Sequence, residues 1–264
     1  MATPAGTPVI EASDLTRVFR RPKTSLTRPG EEVHALKGVS LSVARGERFG
    51  IVGESGSGKS TLLKLLCGLD QPTSGSILFD GKEIVGRRDL RFLRNDLQIV
   101  FQDPMSSLDP RMKVRDIVAE PLVALGLPAG DRVAQLLKEV GLPPAAADRY
   151  PHQFSGGQRQ RIAIARALAP KPKVLVADEP VSALDVSVRG QILNLLADLI
   201  DSHGLTLVFV SHDLSVVRHV CESVAVMSEG QVVERGQVDE IWADPQHEYT
   251  RTLLRAVPTL EGLL

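Results

Sequence analysis

Two short segments carry the residue types of phosphate chemistry. The first is Gly53-Glu54-Ser55-Gly56-Ser57-Gly58-Lys59-Ser60, followed by Thr61. Its glycines let backbone N–H groups point inward at phosphate oxygens, a geometry that side chains would block. Lys59 supplies a mobile cation for β- and γ-phosphates, and the Ser60 hydroxyl suits Mg2+. The second segment is Ser155-Gly156-Gly157-Gln158. Ser155 has the type of a helix N-cap, and two glycines just inside a helix are costly. That cost points to a close approach, which a phosphate at the positive helix end would explain. One chain has one place to wrap a triphosphate, so the second cradle fits best against a nucleotide held by another copy. Taken alone, each segment also reads as a plain glycine turn or a capped surface helix.

A third segment delivers carboxylates. Val174-Leu175-Val176-Ala177 is a buried strand by its apolar run, and Asp178 and Glu179 stand at its C-terminal end. Ligands in open α/β sheets bind at that end. Asp178 can hold Mg2+ directly or through water, and Glu179 can orient or deprotonate an attacking water.

The elements that must position these groups follow from patterning. Residues 48–52 form a strand running into the first glycine loop, and residues 59–67 show helical spacing through Leu62, Leu63, Leu65 and Leu66. Strand, glycine loop, helix is the context a phosphate loop requires. Residues 76–79 read as a hairpin arm turning at Asp80-Gly81, and residues 97–101 as a strand. Alternation at Val39, Leu41 and Val43 suits an antiparallel strand. It follows a loop rich in Arg17, Arg20, Arg21, Lys23 and Arg28, read as solvated. From residue 102 to about 150, prolines punctuate short helical patterns, such as residues 131–140, as in a helical insertion. Strands and helices then alternate: 173–177, helix 188–200, 205–210, helix 214–220, 223–227 and 231–234 with a Glu229-Gly230 turn. The expected fold is α/β, with a mostly parallel sheet, an antiparallel β part and an inserted α-helical subdomain.

Composition bounds the function classes. The 264 residues are 43% hydrophobic, enough for a sizeable core, and the net charge of −1 gives no basic field for nucleic acid. No secretory signal and no apolar run of roughly 18 residues is visible. Cys67 and Cys221 sit in apolar surroundings and read as buried packing residues in a reducing compartment. The expectation is a cytoplasmic protein that meets a membrane only through a partner.

At this point the motifs resemble those of the nucleotide-binding subunit of ATP-binding-cassette (ABC) transporters. Residues 53–60 resemble the Walker A loop and residues 174–178 the Walker B strand. Phe154-Ser155-Gly156-Gly157-Gln158 resembles the family signature, with Phe where Leu is more usual. Ser182-Ala183-Leu184-Asp185 resembles the D-loop, Ser211-His212-Asp213 the switch-histidine segment, and Gln102 the Q-loop glutamine. Phe19 falls where the family places an aromatic against adenine. The resemblance runs from about residue 9 to 257.

It implies roles that spacing does not. ATP would bind residues 53–61 and Phe19, with Mg2+ on Ser60, Gln102 and Asp178. Glu179, His212 and Gln102 would be catalytic. Residues 155–158 would act in trans on a second subunit's ATP, and Asp185 would bridge the two subunits. The segment Asp103-Pro104-Met105-Ser106-Ser107-Leu108-Asp109-Pro110 would dock a membrane-spanning permease. An extracytoplasmic solute-binding protein would be an indirect partner, no nucleic acid is expected, and the chain would lie peripherally on the cytoplasmic face of the membrane. The implied domains are an ATPase domain over 8–257, with a P-loop NTPase (RecA-like) core and antiparallel β part in segments 8–102 and 160–245 and a helical subdomain over 103–159, and a tail over 246–264.

Residues 101–112 and 242–258 resemble the peptide and nickel importer branch, with Glu248 where a proline is usual and without a cysteine-bearing extension. The reading is an ATPase powering dipeptide or oligopeptide import, with nickel import as the near alternative. A non-transport cassette acting on nucleic acid or the ribosome would be marked by paired cassettes, coiled-coil arms or cysteine clusters. A P-loop kinase would leave residues 155–158 and His212 unexplained.

Overall fold

The computed structural model describes residues 8–20, 32–84 and 90–255. In chain order the elements are β1 (Pro8–Arg20), β2 (Glu32–Ala44), β3 (Arg48–Val52), α1 (Lys59–Leu66), β4 (Ser74–Phe79), β5 (Lys82–Glu83), α2 (Arg91–Asp96), β6 (Leu97–Val100), α3 (Pro104–Ser107), α4 (Val114–Leu125) and α5 (Arg132–Glu139). Then follow α6 (Gly156–Leu168), β7 (Val174–Asp178), α7 (Val186–His203), β8 (Thr206–Ser211), α8 (Leu214–Val220), β9 (Ser223–Ser228), β10 (Gln231–Gln237), α9 (Val238–Ala243) and α10 (Glu248–Arg255). They form two compact units, one of Met1–Leu90 with Phe209–Leu264, the other Arg91–Val208.

The first unit holds an antiparallel sheet of order β2-β1-β4-β5. Val39, Leu41 and Val43 of β2 are buried at every second residue, as the sheet period demands. β1 carries Arg17 and Arg20, so these two belong to a strand rather than to a solvated loop. Arg17 grips Asp70 through two bonds of 3.1 and 2.9 Å. Arg21, Lys23 and Arg28 lie outside the described residues. A second set of strands runs β10-β9-β3-β8, in which β3 and β9 are parallel and buried in all but one residue each. That is the pattern of strands covered on both faces. β8 crosses the division between the units.

The second unit carries β6 and β7 as a parallel pair, Leu97 opposite Val174 and Val100 opposite Ala177, with β8 on the far side of β7. Its helices gather on α6, whose Ile162, Ala163, Ile164 and Ala165 are fully buried. Val114, Ile117 and Val118 of α4 and Leu136 and Leu137 of α5 complete that core. Pro104 opens α3 in its first turn, where a proline is tolerated. Pro121 lies inside α4 rather than breaking it. The buried face of α4 holds the helix through the hydrogen bond that the proline removes. Cys67 and Cys221 are buried, and burial pushes the Cys221 thiol well up. No helix among the described residues is long and apolar enough to cross a membrane.

Candidate nucleotide-binding site

The phosphate loop is built from β3 downward. Val52 is the last buried strand residue, and the chain then turns through residues 53–58 into α1. Gly58 caps that helix with a left-handed φ of 105°, and Gly56 also takes a positive φ of 85°. Both conformations favour glycine. Two other walls explain the remaining small residues. A Cβ on Gly53 would lie 2.2 Å from the Met227 carbonyl oxygen at the end of β9. A Cβ on Gly58 would lie 2.7 Å from the Ala35 carbonyl oxygen of β2.

The Glu229-Gly230 turn between β9 and β10 supports the loop from beneath. Gly230 N–H donates to the Ser57 carbonyl at 3.0 Å, and its own carbonyl accepts from Lys37 N–H at 2.9 Å. Glu54 N–H donates to the Tyr249 hydroxyl of α10 at 2.9 Å. Glu54, Ser55, Gly56 and Ser60 are exposed, and Thr61 is half-buried. Lys59 is only 5% exposed, and its ammonium donates to the carbonyls of Gly53 and Glu54 at 2.6 and 2.8 Å. The Ser57 hydroxyl is buried with no hydrogen-bond partner among the described residues, as expected of a group shaped for a ligand.

Phe19, near the end of β1, is 40% exposed and pairs in register with Val33. The Arg17 guanidinium lies over its ring at 4.5 Å. His212, also in this unit, is exposed at the end of β8, where Ser211 Oγ accepts from Asp213 N–H at 3.0 Å. Asp213 in turn caps α8 by accepting from Ser215 N–H.

The second unit brings two of the predicted catalytic residues together. Gln102 follows β6 and Glu179 follows β7, and the Gln102 amide donates to the Glu179 carboxylate at 3.3 Å. Asp178 is half-buried at the end of β7. Glu179 holds a left-handed φ of 44°, a conformation costing a non-glycine residue about 1–3 kcal/mol. The turn that enforces it is tied by Ser182, whose N–H and hydroxyl both donate to the Glu179 carbonyl at 3.2 and 3.0 Å.

Ser155 caps α6 as its type suggested. Its hydroxyl accepts from Gln158 N–H at 3.3 Å, while the Gln158 side chain accepts from Ser155 N–H at 3.1 Å. The glycines have a reason within the chain: a Cβ on Gly157 would lie 2.5 Å from Val188 of α7, and one on Gly156 would lie 3.3 Å from Leu184. Arg159 stays at the helix start, its Nε donating to the Phe154 carbonyl at 2.9 Å, while two further arginines turn inward. Arg161 donates to the Val140 carbonyl at 2.7 Å and Arg166 to that of Ser107 at 2.6 Å, and burial holds the Arg166 guanidinium below its ordinary pKa. Asp185 precedes α7, is exposed and makes no capping bond to it.

Sequence reasoning missed Tyr249 and Gly230 as supports of the loop. Tyr249 lies 195 residues beyond Glu54 in the chain, and nothing in its local spacing points at residue 54.

A parallel α/β core with this strand, glycine loop and buried lysine defines a P-loop nucleotide-binding protein. The ABC transporter family model matches residues 36–182. The chain is 53% identical over 256 residues to the oligopeptide transport ATP-binding protein OppD of Mycobacterium tuberculosis, covering 95% of this chain and 42% of that protein. It is 50% identical over 262 residues to the glutathione import ATP-binding protein GsiA of Escherichia coli, covering 97% of this chain and 42% of that protein. The chain thus spans well under half the length of these two relatives. Among solved structures, the dimeric ATP-binding cassette MJ0796 bound to ADP and Pi superposes with a TM-score of 0.76 at 33% identity, covering 87% of this chain and 98% of that one. The chain belongs to the ABC transporter family, and its fold is that of the family's ATP-binding cassette.

Proposed function

We propose that the chain is the ATP-hydrolysing subunit of an importer for dipeptides or oligopeptides, working as one of two cassettes. The observation that carries this reading is the phosphate loop, whose Gly56 and Gly58 take the positive φ of a backbone cradle around the start of α1. The printed names of the two importer relatives, oligopeptide transport and glutathione import, support the peptide substrate class.

In this reading ATP rests its phosphates on residues 53–61, with Lys59 leaving the Gly53 and Glu54 carbonyls for the β- and γ-phosphates. Phe19 offers its ring to adenine. Glu179 accepts a proton from the attacking water, Gln102 orients that carboxylate, and His212 contacts the γ-phosphate. Mg2+ would neutralise charge on the phosphates, and Ser60, Asp178 and Gln102 provide the hard oxygen donors it prefers. Residues 155–158 close over the partner subunit's ATP. Gly156 and Ser155 are exposed at the positive end of α6, which suits a phosphate arriving from outside the chain. The dimeric state of MJ0796 with ADP and Pi supports two cassettes working together.

Two exposed apolar groups fit the proposed partners. Val186, beside Asp185, is 82% exposed at the proposed subunit junction. Met105 and Val123 are 55% and 72% exposed on α3 and α4, where a permease would dock and place the chain at the cytoplasmic face of a membrane. The test is phosphate release by the purified chain with ATP and Mg2+ across a dilution series. Activity should rise more steeply than linearly with protein concentration. Strictly linear activity down to high dilution would remove the two-cassette site.

A further inference from the structure

The peptide group joining Gly53 to Glu54 is held on both of its polar atoms. Its carbonyl oxygen accepts from the Lys59 ammonium at 2.6 Å, and its N–H donates to the Tyr249 hydroxyl at 2.9 Å. Tyr249 lies 195 residues further along the chain, on α10.

That helix is fastened independently. The Glu234 carboxylate of β10 accepts from the N–H groups of Gln246 and His247 at 2.7 and 3.1 Å. Arg251 reaches back to the carbonyls of Pro245 and Gln246 at 2.9 and 3.2 Å. His247 Nδ1 accepts from Tyr249 N–H at 3.2 Å, and Thr250 is fully buried. The turn into α10 and the backbone of Tyr249 are therefore fixed before the phenol reaches the loop.

We infer that α10 is a strap for the phosphate loop and that Tyr249 is a positioning residue for nucleotide binding. The inference rests on the proposed reading of that loop. When Lys59 moves to a phosphate, the Gly53–Glu54 peptide loses its carbonyl partner. The Tyr249 hydroxyl then remains as the anchor on that peptide, upstream of the open, left-handed Gly56. A loop kept in place before the nucleotide arrives loses less freedom on binding it.

The experiment uses the full chain and a fluorescent ATP analogue with Mg2+. It compares wild type, Tyr249→Phe and Glu234→Ala, and follows the Glu54 amide by hydrogen exchange. Tyr249→Phe removes one hydroxyl and keeps the ring, so Tm should stay within a few degrees. Nucleotide affinity should fall about three- to tenfold, the range of one net hydrogen bond. KM for ATP should rise while kcat holds within about twofold, as for a group that acts on binding and not on chemistry. The Glu54 amide should exchange faster. Glu234→Ala should move affinity and Glu54 exchange in the same direction by loosening the strap at its base. Unchanged affinity and unchanged Glu54 exchange in Tyr249→Phe overturn the strap. A wild-type chain that fails to bind the nucleotide overturns instead the functional reading beneath it.

Discussion

Gln102 and Glu179 stand 77 residues apart in the chain, yet the Gln102 amide donates to the Glu179 carboxylate at 3.3 Å. The parallel pairing of β6 and β7 sets this distance, because Val100 opposes Ala177 and both side chains follow two residues later. The residue proposed to orient the base thus donates to its carboxylate directly.

Glu179→Gln removes the base while keeping a side chain that can still pair with Gln102. Hydrolysis should fall by about 10²–10⁴, the usual contribution of a general base, with ATP affinity retained. Single-turnover phosphate release and sizing in ATP check this, and a long-lived dimer is the expected form. Undiminished turnover would take Glu179 out of the base role.

Lys59→Ala leaves the Gly53 and Glu54 carbonyls without their ammonium and the phosphates without a cation. Charge-assisted bonds are worth about 1.5–3 kcal/mol, so nucleotide affinity should fall roughly ten- to hundredfold. Equilibrium binding measures it, with circular dichroism confirming the fold, since Lys59 is buried. Unchanged affinity would count against the cradle.

Gly157→Ala tests whether the signature glycine serves packing, phosphate or both. The added methyl meets Val188 at 2.5 Å and should cost about 1–3 kcal/mol, lowering Tm by several degrees. Adding Val188→Ala should restore Tm. If hydrolysis returns with Tm, the glycine is there for packing; if it stays low, the backbone at the start of α6 must also lie bare against the nucleotide.

Glu234 sets a pH dependence for the strap. Burial pushes its carboxyl up, but the N–H groups of Gln246 and His247 that donate to it outweigh that and hold it below the ordinary value. Since the folded-state pKa is the lower one, its contribution is fully present above the ordinary carboxylate range and is lost as pH falls through the folded value. Protection of α10 against hydrogen exchange, taken relative to the intrinsic amide rate at each pH, should therefore fall on acidification below that range, and Glu234→Gln should flatten the response. An α10 equally protected at all acidic pH values would contradict it.

Much of this was readable from local spacing. The strand before Gly53, the helix carrying Leu62, Leu63, Leu65 and Leu66, and the Ser155 cap each follow from a few adjacent residues, and the structure has them. What was not readable depends on distant neighbours. Gly157 looks like a phosphate contact until Val188 is seen beside it. Arg161 and Arg166 give no local sign that the carbonyls of Val140 and Ser107 take them. Pro121 looks like a helix end until the packed face of α4 carries the helix past it. Tyr249 has no local signal, because its meaning lies wholly in the turn of chain that brings α10 to the loop.

The central claim is that residues 53–61 of one subunit and 155–158 of another form one site. Two inactive variants test it by mixing. Lys59→Ala spoils the loop, and Gly156→Asp sets a negative charge on the trans wall at an exposed position whose nearest neighbour is the Leu184 side chain. Each alone should hydrolyse almost no ATP. Mixed, they should recover roughly a quarter of wild-type activity, since random pairing gives half mixed dimers, each with one intact site. A mixture no more active than its parts, beside an active wild type, would contradict the account.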